Sequence, residues 1–152
     1  VDLLTRLDAG PLGLACCDPA QPEAARCGSW LADLNAAGTV ILIPVIAEYE
    51  VRRELLRAGA AVKLGRLEGL LRRFDRLDIT AEALERAAEF WATLRKAGLP
   101  TAGPESLDAD AILAGMAATC GRPGDSVVVA TTNVKHLTRF PGVDARRWDA
   151  IA

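Results

Sequence analysis

Short uninterrupted apolar runs alternate along this chain with longer stretches in which apolar residues recur every three to four positions, the signatures of buried strands and amphipathic helices. LLTRLDA at residues 3–9, TVILIP at 39–44 and SVVVATTN at 126–133 read as strands, with a shorter one at RLDIT, 76–80. Runs without polar alternation point to burial on both faces, as in a parallel sheet. Thr5 and Arg6 make the first run oddly polar. Helices are predicted over residues 22–38, 45–59, 61–74, 80–98 and 107–121. The first two stop at Gly38 and Gly59, and the fourth starts at Thr80, carries Glu82 and Glu85 early, and ends in Lys96 and Gly98. Residues 61–74 are leucine-rich, with Val62, Leu67, Leu70 and Leu71 on one predicted stripe, and LPTAGPESL at 99–107 reads as the main irregular connector. Strands and helices in this order predict an α/β protein with a central parallel sheet. No segment is long enough to act as a linker, so residues 1–152 are expected to form one domain.

Composition narrows the class without naming it. The 152 residues are 51% hydrophobic and 25% charged, an ordinary globular balance with length enough for a core. A net charge of −2 argues against a basic nucleic-acid coat, but a nuclease pocket is itself acidic when it holds metal. Cys16, Cys17, Cys27 and Cys120 form no C-x-x-C pair and His136 stands alone, so zinc spacing is absent. With no export signal and no apolar run of membrane length, a cytoplasmic protein with free thiols is expected. The few aromatics, Trp30, Trp91, Trp148, Tyr49 and three Phe, read as core residues rather than an RNA-stacking platform.

The acids change the picture. Asp8 ends the first strand, Glu48 and Glu50 open the helix after the second, Asp108 and Asp110 open a later helix, and Asn133 closes the 126–133 run. In an open parallel sheet every strand ends at one edge, where ligands bind. Asp8, Glu50, Asp110 and Asn133 are therefore expected to converge. Gathered carboxylates repel one another, and a divalent cation removes the conflict. Oxygen ligands without Cys or His favour Mg²⁺ or Mn²⁺, which activates water for phosphodiester hydrolysis. Taken singly, each residue also has a plainer role. Asp8 suits a turn beside Gly10-Pro11, Glu50 a charged helix face with Arg53, Glu54 and Arg57, Asp108 a helix cap, and Asn133 a turn.

Four segments, LDAGPLG (7–13), IPVIAEYEVRREL (43–55), LDADAILAGMA (107–117) and VVVATTNVKHLTRF (127–140), resemble in order and spacing the motifs of PIN-domain proteins. The resemblance implies a three-layer fold, a central parallel sheet with helices on both faces, and metal-dependent ribonuclease activity. Many small bacterial members, such as the VapC group, are toxins held inactive by an antitoxin. Carried over, Asp8, Glu50 and Asp110 become metal-binding acids, and Asn133 takes the fourth position as an amide that adds no charge. Thr131, Asp108 and Glu48 become supporting residues; Glu48 lies roughly 200° around the helix from Glu50, so the two cannot face one site equally. His136 stands where many relatives carry an acid. Arg52, Arg53, Arg57, Lys63, Arg66, Arg72, Arg73 and Arg76 follow Glu50 and could flank RNA, with Arg53, Arg57 and His136 the candidate contacts. A solvated face paired with Glu54 and Glu68 is the alternative. In the family the helices corresponding to this leucine-rich one often dimerise or receive the antitoxin, so the resemblance implies a homodimer. A catalytically inactive PIN fold that binds RNA or a partner is the competing reading. A receiver domain fits less well, lacking a mid-chain Asp, with Lys135 poorly placed. An aspartyl-phosphate phosphatase would need a second acid after Asp8.

Overall fold

The computed structural model describes residues 3–98 and 104–152. Strand β1 (Leu3–Leu7) leads into helix α1 (Ala9–Ala15) and α2 (Pro22–Ala36). Then come β2 (Val40–Pro44), α3 (Val45–Arg57), α4 (Ala61–Arg73), β3 (Asp75–Leu77), α5 (Ala81–Lys96) and α6 (Pro104–Thr119). β4 (Ser126–Thr131), α7 (Val134–Leu137), β5 (Ala145–Arg147) and a 3₁₀ turn (Trp148–Ala150) complete the chain. The five strands form one parallel sheet in the order β3-β2-β1-β4-β5. β1 is central, so its end lies where the strand order reverses, the place at which such sheets open a crevice.

Alternating side chains of the central strands feed two cores, one on each face of the sheet. Leu7, Ile41, Ile43, Val128 and Ala130 pack with Leu12, Leu31, Ala47, Leu67 and the Trp30–Trp148 pair beneath α1 to α4. Val129 packs on the other face with Phe90, Leu107, Leu113 and Phe140, beneath α5 and α6. The predicted three-layer architecture is the observed one. Thr5 and Arg6, the polar interruption in β1, are fully buried rather than a sign of an edge strand.

The second core explains α6. Ala111, Leu113, Ala114, Met116 and Ala117 are all buried, so the helix has little solvent face. At Gly115 a Cβ would collide with the Ala83 carbonyl and Ala87, so only glycine lets α5 and α6 approach this closely. Thr80 caps α5 as predicted, its hydroxyl accepting from the Ala83 amide at 3.0 Å.

Several expectations are corrected. The first strand stops at Leu7, and Asp8 caps α1 instead of sitting in a turn; Gly10-Pro11 lies in the first turn of that helix, where a missing N–H costs nothing. Helix α6 starts at Pro104, three residues before the predicted start, while residues 99–103 of the predicted connector lie outside the described residues. Asp108 is therefore inside α6 rather than at its N-cap position. β5 and α7 escaped prediction because three or four residues carry no readable period. Tyr49 and Trp91 are 57% and 39% exposed, so they are not core aromatics, and Val62 is 70% exposed, outside the buried stripe of α4. The four cysteines are free thiols, and no described helix is long and apolar enough to cross a membrane.

Candidate active site

Asp8 is held by its neighbours before any ligand arrives. One carboxylate oxygen, Oδ1, accepts from the Ala9 amide at 2.7 Å, and Oδ2 accepts from the Thr131 hydroxyl at 2.7 Å. The same hydroxyl oxygen accepts from the Asn133 amide at 3.0 Å, so the end of β4 is tied to the end of β1. Gly10 permits this closure, because a Cβ there would run into Thr132.

Around Asp8 lies a cavity of about 260 Å³ lined by Asp8, Ala9 and Gly10 at the start of α1, Glu50 and Arg53 from α3, Asp110 from α6, Asn133, and His136 from α7. Asp110 faces the His136 Nδ1 and an Arg139 guanidinium nitrogen, each 3.6 Å from Oδ2. That distance suits an ion pair but exceeds a hydrogen bond, and Oδ2 is left buried without a hydrogen-bond partner.

All three acids are pushed above the usual carboxylate range. For Asp8 the cause is burial, opposed by the Thr131 and Ala9 hydrogen bonds and by His136. For Glu50 it is burial and then the Asp8 charge, with Asp110 adding to it and Arg53 opposing. For Asp110 it is burial and then Asp8, opposed by His136 and Arg139. The acids thus feel one another across the pocket, the condition that a bound cation relieves. The donors are hard oxygens, and one of them is a buried oxygen in need of a partner, so the residues fit a hard divalent cation such as Mg²⁺ or Mn²⁺. Among the described residues no three His, Cys, Asp or Glu side chains are drawn together as a closed ligand set. Asp8, Glu50 and Asp110 would have to close further on an ion.

Glu48, Asp108 and Arg57 are not brought in. Glu48 accepts from Arg76 Nε at 2.7 Å and Arg52 at 3.0 Å, and these partners, Arg76 first, hold its carboxyl below the usual range. Asp108 is exposed and lines a separate groove with Leu84, Trp91 and Ile112. Two residues along a helix place Asp108 and Asp110 on nearly opposite sides, which is why one faces the pocket and the other does not. Arg57 pairs with Glu54 at 2.8 Å, and Arg52 also pairs with Glu68 at 2.7 Å. Of the predicted basic flank, Arg52, Arg57 and Arg76 are thus taken up by Glu48, Glu54 and Glu68. Arg53 reaches the pocket, its guanidinium also lying 5.2 Å from the Tyr49 ring centre. Sequence reasoning overlooked Arg139 and Gly10; the i, i+3 spacing of His136 and Arg139 beside a short helix was the available signal for the first.

A family model described as PIN domain matches residues 20–137, a span that includes Glu50, Asp110, Asn133 and His136 and begins after Asp8. No protein with a curated description matches. Among solved structures, a chain of DNA-bound VapBC from Salmonella typhimurium is 25% identical with a TM-score of 0.71, covering 96% of this chain and 98% of that one. A chain of VapBC2 from Rickettsia felis, bound to a DNA fragment from their promoter, is 17% identical with a TM-score of 0.71, covering 95% and 98%. FitAcB from Neisseria gonorrhoeae is 21% identical with a TM-score of 0.66, covering 97% and 99%.

Proposed function

The chain belongs to the PIN domain family, and from that premise we propose that it is a nuclease whose finer activity is metal-dependent endoribonucleolytic cleavage of RNA. The observation that carries the proposal is the convergence of Asp8, Glu50 and Asp110 from three separate elements into one pocket, each with its proton affinity raised by burial and two of them by the Asp8 charge as well. In this reading those carboxylates hold Mg²⁺ or Mn²⁺, with the Asn133 carbonyl available as an uncharged fourth oxygen. The ion, when bound, lowers the pKa of water and offsets charge on the phosphate.

The rest is done by the chain itself. Thr131 and the Ala9 amide orient Asp8 and keep both its oxygens in place. Arg53 and His136 in the pocket lining supply a guanidinium and an imidazole N–H as donors for the backbone phosphates of a single-stranded RNA. Arg139 stands behind Asp110 and limits the negative charge of the pocket. A toxin role with a small antitoxin partner, assembly as a homodimer and a cytoplasmic location complete the proposal. The support for the partner is that the similar structures are of VapBC and FitAcB.

The test is cleavage of a labelled RNA by the purified chain with Mg²⁺ or Mn²⁺, with EDTA, and with the ion restored. Cleavage that survives EDTA, or that Asp8→Ala and Asp110→Ala leave intact, refutes the assignment. One observation favours a second reading, a PIN fold that binds RNA or a partner without cutting: Asp110 already faces His136 and Arg139. Calorimetric titration separates the two readings, because the non-catalytic form takes up no ion at millimolar Mg²⁺ or Mn²⁺.

A further inference from the structure

We propose that Cys120 is a reactive, oxidisable thiol, held by the buried guanidinium of Arg6 at the sheet edge away from the acid pocket. Arg6 lies in the central strand and is only 1% exposed. Its Nε and Nη2 donate to the Cys120 sulfur at 3.2 and 3.1 Å, and its Nη1 is buried without a partner. Among the described residues no carboxylate forms an ion pair with it. A buried cation without a counter-charge is strongly unfavourable.

The Nε–Nη2 side of a guanidinium is the fork that ordinarily grips a carboxylate. Here the sulfur occupies that place. A neutral thiol is a weak acceptor, so the pair strengthens as the sulfur gains negative charge. The sulfur is the nucleophile in such chemistry, and the two guanidinium donors hold it in place. Access is open: Cys120 is partly exposed and lines a cleft of about 400 Å³ with Arg122, Pro123, Asp125 and Gly142. That cleft lies where α6 ends and β4 begins, opposite the strand ends that carry Asp8 and Thr131.

The oxidant we name is hydrogen peroxide. The sulfur attacks one peroxide oxygen, an S–O bond forms, the O–O bond breaks, and hydroxide leaves. Sulfur is oxidised by two electrons, the peroxide is reduced, and the transferred hydroxyl completes a sulfenic acid. A second equivalent transfers a further oxygen in the same way, and the resulting sulfinic acid loses its proton. The sulfinate then offers two oxygens to the guanidinium fork that one sulfur fills now.

The other cysteines serve as controls within one molecule. Cys16 and Cys27 are buried, and burial pushes their thiols up to about 11 and about 12. Cys17 is partly exposed, with Gly13 O as its near acceptor and no arginine donating to it. The experiment treats the full chain with limiting hydrogen peroxide, traps sulfenic acid with a cyclic dione, and maps the label by mass spectrometry. Cys120 should label at least about tenfold faster than Cys17, and Arg6→Met should bring it down to the Cys17 rate. Labelling of Cys120 no faster than Cys17 overturns the proposal, as does an Arg6→Met protein in which Cys120 keeps its rate. Should Arg6→Met not fold, thermal melting of a second pair decides. Cys120→Asp puts a carboxylate in the fork and should melt several degrees above Cys120→Ala; a Cys120→Ala protein melting as high as Cys120→Asp overturns it.

Discussion

β1 buries a positive charge and the residue just past its end carries a negative one, and the molecule treats the two differently. Beyond the C-terminal end of the strand, Asp8 joins Glu50 and Asp110 in an acid pocket bordered by Arg53, His136 and Arg139. Two residues earlier, Arg6 is buried toward the other sheet edge against a sulfur. The acid pocket is open, so its excess charge can be met from solution. The Arg6 guanidinium is buried, and only the Cys120 sulfur that it holds reaches an open cleft. The lesson is that an uncompensated buried charge signals function most clearly where solvent, and what solvent carries, can reach it.

The largest effect should come from emptying the acid side. Asp110→Ala removes a carboxylate that the proposal requires, and RNA cleavage in Mg²⁺ should fall by at least about 100-fold; a residual rate near that of the native chain sinks the metal role of Asp110. Next comes the residue that orients Asp8. Thr131→Val keeps the shape of a fully buried side chain but removes the hydroxyl from Asp8 Oδ2. Mg²⁺ affinity by calorimetry should weaken about tenfold, and Thr131→Ser should restore it. Equal affinity in the Val variant shows that Asp8 needs no such support.

Smaller effects follow in stability. Because Asp8, Glu50 and Asp110 are raised in the folded chain, the fold holds their protons more tightly than the unfolded chain does. Without metal, stability should therefore rise as pH falls from 7 through those raised values. The gain ends near the ordinary carboxylate range. Glu48 and Asp149, whose values are lowered, act in the opposite sense at still lower pH, where their pairs with Arg76 and Arg147 are lost. Millimolar Mg²⁺ should raise the melting temperature at pH 7 and raise it less at pH 5. In the metal-free chain Asp110→Asn should add about 1 kcal/mol at pH 7 by removing one of the repelling charges. A pH-independent melting temperature, with no response to Mg²⁺, would show that the pocket carries no such strain. Smallest of all is Asp108→Asn. An exposed position inside α6 should change neither the melting temperature nor cleavage measurably; loss of activity there would return Asp108 to the site.

The difference between Asp108 and Asp110 measures how far the sequence could be read. Both precede the same apolar, small-residue segment, and local pattern alone makes either a cap or a ligand. The resemblance selected Asp110. The start of α6 at Pro104 and its packing under α5 are what turn Asp110 toward Asp8 and leave Asp108 on the outer groove. Glu48 and Glu50 divide in the same way. Capture of Glu48 by Arg76, which follows 28 positions later at the start of β3, was invisible along the chain.

What the sequence determined by itself is therefore what depends on neighbours a few residues away. It set the apolar runs of β1, β2 and β4, the periodic helices between them, the Thr80 cap, and the appearance of acids where strands end. Tertiary structure decided what depends on distant partners. It converted Gly10-Pro11 from a turn into the first turn of α1, paired Arg52 and Arg57 of α3 with Glu68 of α4 and Glu54, and set Arg6 against Cys120 across 114 positions. Periodicity records which face of an element avoids water, and that preference is local. The partner of a buried charge is chosen by strand register and helix packing, which only the assembled sheet defines.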